Sequence, residues 1–193
     1  MNPRLIVWVA LMLFVSPTAL AGVVVTGVVP GDGLSPRAAL HEQGVTFPVD
    51  GEEPLLACST MAGGVDMQGV VWTGDERFLA YGHDGPWLTD TDGCHWVATF
   101  GPVSERRIVA AYQSEPGSKR VLFAASGDLG VTGVMVSEDG GYTNEVLAGL
   151  SFGELELVGL AGNGDQVGIL GQDPDGALRG GVSDDGGVNF TER

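Results

Sequence analysis

Basic side chains are scarce in this sequence: 9 lysines and arginines face 25 aspartates and glutamates, a formal net charge of −16. A surface of that sign repels phosphate backbones and anionic headgroups, which argues against nucleic acid as a partner. Cysteine is nearly absent. Only Cys58 and Cys94 occur, too few for a disulfide-dense scaffold or a cysteine-rich zinc module. The three histidines, His41, His83 and His95, lie apart with no H-E-x-x-H spacing. No G-x-S-x-G, phosphate-loop or dinucleotide fingerprint is present. Beyond Ala21 there is no sustained helical periodicity and no apolar run long enough to span a bilayer.

The first residues read as a leader. Arg4 gives a positive start, Leu5 to Val15 is an apolar run of 11 residues, Pro17 breaks it, and Ala19-Leu20-Ala21 offers small cleavage residues. The run is shorter than the ~20 residues a membrane span needs. Residues 1–21 are therefore expected to be a signal peptide, cut before Gly22, which places the mature chain in a periplasm or outside the cell. Residue 22 is Gly rather than Cys, so no lipid anchor is indicated there. Loss of Arg4 leaves 8 basic against 25 acidic residues, a charge of −17. Solubility accounts for that charge; the competing reading is a cationic partner or a metal.

What the chain has in excess is glycine, 32 residues, about 17% against a usual ~7%. These glycines separate short apolar runs, the pattern of many strands joined by tight turns. In the best-defined stretch the runs are Ile108–Tyr112, Val121–Ala125 and Val131–Val136, with a fourth starting at Glu145. The order repeats before it (Gly69–Trp72, Arg77–Tyr81, Pro86–Leu88) and after it (Leu155–Leu160, Gln166–Leu170, Leu178–Val182). Three acidic turns recur with the strands: Thr89-Asp90-Thr91-Asp92-Gly93-Cys94-His95-Trp96, Ser137-Glu138-Asp139-Gly140-Gly141-Tyr142-Thr143-Asn144, and Ser183-Asp184-Asp185-Gly186-Gly187-Val188-Asn189-Phe190. A worn copy starts at Leu40, so the intervals are 49, 48 and 46 residues. Periods of ~40–50 residues with four strands each are typical of propeller blades.

The turns resemble the Asp box, or BNR repeat, S-x-D-x-G-x-T-W, of sialidase-like, sortilin-type and photosystem II assembly-factor propellers. The copies at Ser137 and Ser183 are the closest; the copy at Thr89 keeps Gly93 and Trp96 but has Thr91 at the Asp position. The resemblance implies an all-β fold: a β-propeller-like array of about four four-stranded blades, with units near 22–55, 56–102, 103–150 and 151–193. It also implies that each box joins the third strand of a blade to the fourth. Physically, Asp139 and Asp185 can accept backbone N–H bonds, Gly141 and Gly187 can take positive φ, and Trp96 and Phe190 can cover the turn. So few blades leave two readings: a last blade completed by a closing strand from Gly22 to Val29, or a chain that is a piece of a longer propeller; open blade edges would in either case invite closure or self-association.

Candidate chemistry is thin. Asp90/Asp92 and Asp173/Asp175 sit in D-x-D-G turns that could offer carboxylates to Ca²⁺, against the plainer reading as polar turns. In an exported chain Cys58 and Cys94 form a candidate disulfide closing 36 residues, worth ~3–4 kcal/mol; the alternative is two free thiols. Sialidase chemistry needs an arginine cluster and a Tyr–Glu nucleophile pair, and the F-R-I-P segment of that family is missing. The expectation is thus a non-catalytic scaffold without a cofactor, binding an unidentified protein or glycan. A glycan-acting relative and a calcium-stabilised module are the alternatives.

Overall fold

The computed structural model describes residues 25–30, 36–41, 44–47, 55–58, 67–74, 77–90, 95–104, 106–115, 117–126, 133–149 and 155–193. Among the described residues, sixteen strands make four sheets. The first holds β1 (Val25–Pro30), β2 (Pro36–His41), β3 (Gly44–Phe47) and β4 (Leu55–Cys58). The second holds β5 (Met67–Gly74), β6 (Arg77–Gly82), β7 (Gly85–Thr89) and β8 (Val97–Ala98). The third holds β9 (Arg107–Tyr112), β10 (Val121–Ser126), β11 (Gly133–Ser137) and β12 (Glu145–Gly149). The fourth holds β13 (Glu156–Asn163), β14 (Gln166–Gln172), β15 (Leu178–Ser183) and β16 (Thr191–Glu192). Every sheet is an antiparallel meander in sequence order. The fold is all-β, a β-propeller-like array of four blades.

Alternation along the strands decides which way each residue faces. In β10, Val121, Phe123 and Ala125 point back to the second sheet, while Leu122 and Ala124 point forward to the fourth. Both sets are buried, so β10 reads as a continuous apolar run. Three clusters result, one per junction. Phe47, Val45 and Leu40 meet Phe78, Ala80 and Trp96 between the first two sheets. Leu79 and Leu88 meet Phe123 and Met135 at the next, and Val134 and Val136 meet Leu157 and Ile169 at the last. Among the described residues, close packing runs from each sheet to the next and not from the fourth back to the first.

Three expectations change. Val25–Pro30 pairs with β2 as the first strand of the first sheet, so it does not complete the last blade. The last blade has its own fourth strand, Thr191–Glu192, pairing with β15. The worn repeat at Leu40 falls between β2 and β3, whereas the other copies fall between third and fourth strands. Spacing alone misled there: His41 and Gly44 form an ordinary hairpin pair. The division near residue 55 cuts through β4, which runs to Cys58.

Candidate functional site

The Ser137 and Ser183 turns are built alike, bond for bond. Ser137 Oγ donates to Asp139 Oδ1 at 2.8 Å and accepts the N–H of Gly141 at 2.8 Å and of Asp139 at 3.4 Å. Ser183 Oγ donates to Asp185 Oδ1 at 2.6 Å and accepts from Gly187 at 2.8 Å and Asp185 at 3.3 Å. Each carboxylate then takes the backbone N–H and the side chain of the residue four positions on, Thr143 in one turn and Asn189 in the other. Both glycine pairs have positive φ, 80° and 102° at Gly140 and Gly141, 71° and 90° at Gly186 and Gly187, a conformation that favours glycine.

These turns also lock neighbouring sheets together. A side chain at Gly141 would strike Leu79, and one at Gly187 would lie 3.1 Å from Leu122. Two residues before each leucine stands an arginine. Arg77 lies against Gly140 and over the Tyr142 ring, 5.5 Å to its centre. Arg120 donates to the Gly186 carbonyl at 3.1 Å and pairs with Glu138 at 2.9 Å. The Arg-x-Leu of one sheet therefore grips the Gly-Gly corner of the next. Asn144 stands at the place where an aromatic was expected. It accepts the Val103 N–H and donates to the Phe100 carbonyl, fastening the linker from the second sheet.

Hydrogen bonding shifts the turn carboxylates. The Ser183 hydroxyl, then the Asn189 backbone and side chain, hold Asp185 down at about 2. At Asp139 burial works upward, but the bonds to Thr143 and Ser137 outweigh it and the carboxyl lies below its ordinary value. Asp173 is held low first by the Ala177 N–H and then by Arg179. Its Oδ1 accepts from Asp175 and Ala177, and its Oδ2 from Arg179 at 3.0 Å. Both oxygens serve the β14–β15 hairpin, and Asp175 is exposed.

The remaining predicted positions scatter. Thr89 is buried at the end of β7, Trp96 lies in the cluster between the first two sheets, and Phe190 packs on the last cluster. Asp90 is exposed. Asp92, Gly93 and Cys94 lie outside the described residues, and the candidate pairing of Cys58 with Cys94 lies there with them. Among the described residues no group of three His, Cys, Asp or Glu could hold a metal, and no helix is long and apolar enough to cross a membrane.

A cleft that the sequence did not announce opens between the first and second sheets. It has a volume of about 210 Å³ and is lined by Val28, Val29, Leu40, Gln68, Gly69, Val70 and Tyr81. Tyr81 lies over Gly69, so only glycine fits opposite it on β5. Burial pushes the Tyr81 phenol up, partly offset by a hydrogen bond to the Ala111 backbone. The flanking strands β1 and β5 are both sheet edges, with backbone groups that face no neighbouring strand in their own sheet.

No family model matches the chain, and no curated protein matches it. Among solved structures it is similar to YCF48 bound to D1 peptide, at 12% identity over 64% of this chain and 39% of that one, TM-score 0.45. It is also similar to a GH74 enzyme of Niastella koreensis, at 9% identity over 80% of this chain and 36% of that one, TM-score 0.49. The chain thus spans well under half of either protein, 39% and 36% of their lengths.

Two predictions follow from the turns. Ser137→Ala strands the buried Gly141 N–H and should cost about 1–3 kcal/mol in urea unfolding, with Ser183→Ala alike; two changes differing beyond that range would contradict their equivalence. Asp185 has its pKa depressed from 3.8 to about 2. Its stabilisation is present above the unfolded value, near ~4, and is lost as pH falls through about 2. Asp185→Asn should therefore flatten the loss of stability across that window, measured as the urea midpoint at successive pH values. An unchanged profile would contradict the assignment.

Proposed function

We propose that this chain is an exported, non-catalytic Asp-box propeller that acts as a binding or assembly scaffold for a protein partner. The cleft between the first two sheets carries the reading. Four aliphatic residues line it beside Gly69, the Gln68 amide and the Tyr81 phenol, so it offers polar as well as apolar surface to an entering group. At about 210 Å³ it is smaller than the ~300–1,000 Å³ of small-molecule pockets, but it suits a single side chain. The edge strands β1 and β5 beside it offer main-chain hydrogen bonds to an extended segment, the way peptides add to sheets.

The arginines support a scaffold over a sialic-acid enzyme. Arg77 and Arg120 clasp turns, Arg37 stacks on Trp72 at 4.4 Å, Arg107 pairs with Glu156, and Arg179 pairs with Asp173 and Glu192. They are spread over successive sheets, whereas a carboxylate-binding cluster needs them to converge.

The test is cross-linking capture from the envelope fraction of the exporting cell, comparing wild type with Gln68→Trp, which fills the cleft from an exposed position. The expected outcome is a protein retained by wild type and lost at least tenfold by the variant, with no turnover of a fluorogenic sialoside by either. Sialoside hydrolysis, or a partner indifferent to the filled cleft, would overturn the proposal.

A further inference from the structure

The forward face of the fourth sheet is apolar and uncovered. Val136 and Val182 occupy the same place, one residue before a turn serine, and both point forward. Val136 is 2% exposed beneath the fourth sheet, whereas Val182 is 37% exposed. Leu170 at 42% and Leu178 at 65% share that face. Gly168 lies opposite Val182 and Gly180 opposite Leu170, which keeps the surface flat. At the other end of the array, the first sheet turns Ala39 and Thr46 backward in one cross-strand row, continued by Val28 at the rim of the cleft. Its other face, with Ala38, Leu40 and Phe47, packs on the second sheet.

We infer that the fourth sheet docks on the backward face of the first sheet of a second copy, and that two copies close head to tail into a ring of eight sheets. The clasp explains the choice of occupant. The Gly140 N–H bonds to the Lys119 carbonyl and the Gly186 N–H to the Asp165 carbonyl, so Gln166 and Gly168 match Arg120 and Leu122. The fourth sheet therefore lacks both the arginine and the leucine that hold an oncoming Gly-Gly corner. In sequence, the first repeat has Pro48 and Glu52 where the serine and the second glycine of the corner stand elsewhere, with Asp50 and Gly51 kept between them. The two departures belong to one junction.

Area favours closure over a single contact. With strands of 6, 6, 4 and 4 residues in the first sheet and 8, 7, 6 and 2 in the fourth, about 3.3 Å per residue and about 4.8 Å between strands, the two faces offer roughly 320 and 360 Å². Two junctions thus engage about 700 Å² of each copy, within the range of stable interfaces, whereas a single junction falls below it. A head-to-tail contact that closes makes a ring, and eight blades is within the usual propeller range.

Sedimentation velocity of the mature chain at micromolar concentration should give twice the single-chain mass. Leu170→Asp, Leu178→Glu and Ala39→Asp should each reduce it to one copy with an unchanged far-UV spectrum. Phe100→Ser, at a residue 70% exposed on neither face, should leave the doubled mass. Hydrogen exchange of wild type provides a measurement free of mutant misfolding: on dilution, amides of Gln166–Gln172 and of residues 37–41 should lose protection together. A wild type that sediments as one copy overturns the inference. So does deprotection confined to the fourth sheet, which would mean that the sheet pairs with its own kind.

Discussion

One contact organises this molecule: the second glycine of a turn, its N–H taken by a serine hydroxyl, pressed onto a leucine of the preceding sheet. At Gly141 that leucine is Leu79, and at Gly187 it is Leu122. Positive φ lets the corner turn sharply, and the missing Cβ lets a second sheet approach it. The carboxylate holds the rest of the turn by accepting bonds from Thr143 or Asn189. A local hydrogen-bond motif thus doubles as a spacer between blades. The leucines that the corners press on, Leu79 and Leu122, belong to the apolar clusters between the sheets, so corner and cluster meet at the same side chains.

The same device accounts for how polar groups are distributed. Asp139 and Asp185 have their acceptor capacity filled within the turns, and Asp173 has its own filled within a hairpin. Arg77 and Arg120 serve at junctions. These charged side chains serve corners and seams, while the cleft beside Tyr81 is lined by four aliphatic residues, a glycine, an amide and a phenol. That division separates a surface suited to recognition from residues suited to holding the array together.

The fold could be read in the sequence because its signal is local. The apolar runs Ile108–Tyr112 and Val121–Ala125, parted by turn residues, gave the strand order, and the resemblance of Ser-x-Asp-Gly-Gly to the Asp box implied the third-to-fourth placement of the turns. Spacing without chemistry failed at Leu40, where the interval matched but no serine hydroxyl or Gly-Gly corner was present. The clasps left a trace that went unread: Arg77-Phe78-Leu79 and Arg120-Val121-Leu122 repeat, yet the glycines they meet lie 63 and 66 residues later at Gly140 and Gly186. The cleft had no trace at all. It arises where Tyr81 crosses Gly69 beside a strand from another sheet, a juxtaposition that no linear pattern encodes.

Native-state hydrogen exchange of the Gly141 and Gly187 amides measures the central contact directly. If the corners bind sheet to sheet, both amides exchange only through the global opening that also exposes Phe123 in β10. Exchange of either amide at the rate of an open surface loop, with the Phe123 amide still protected, would contradict the account.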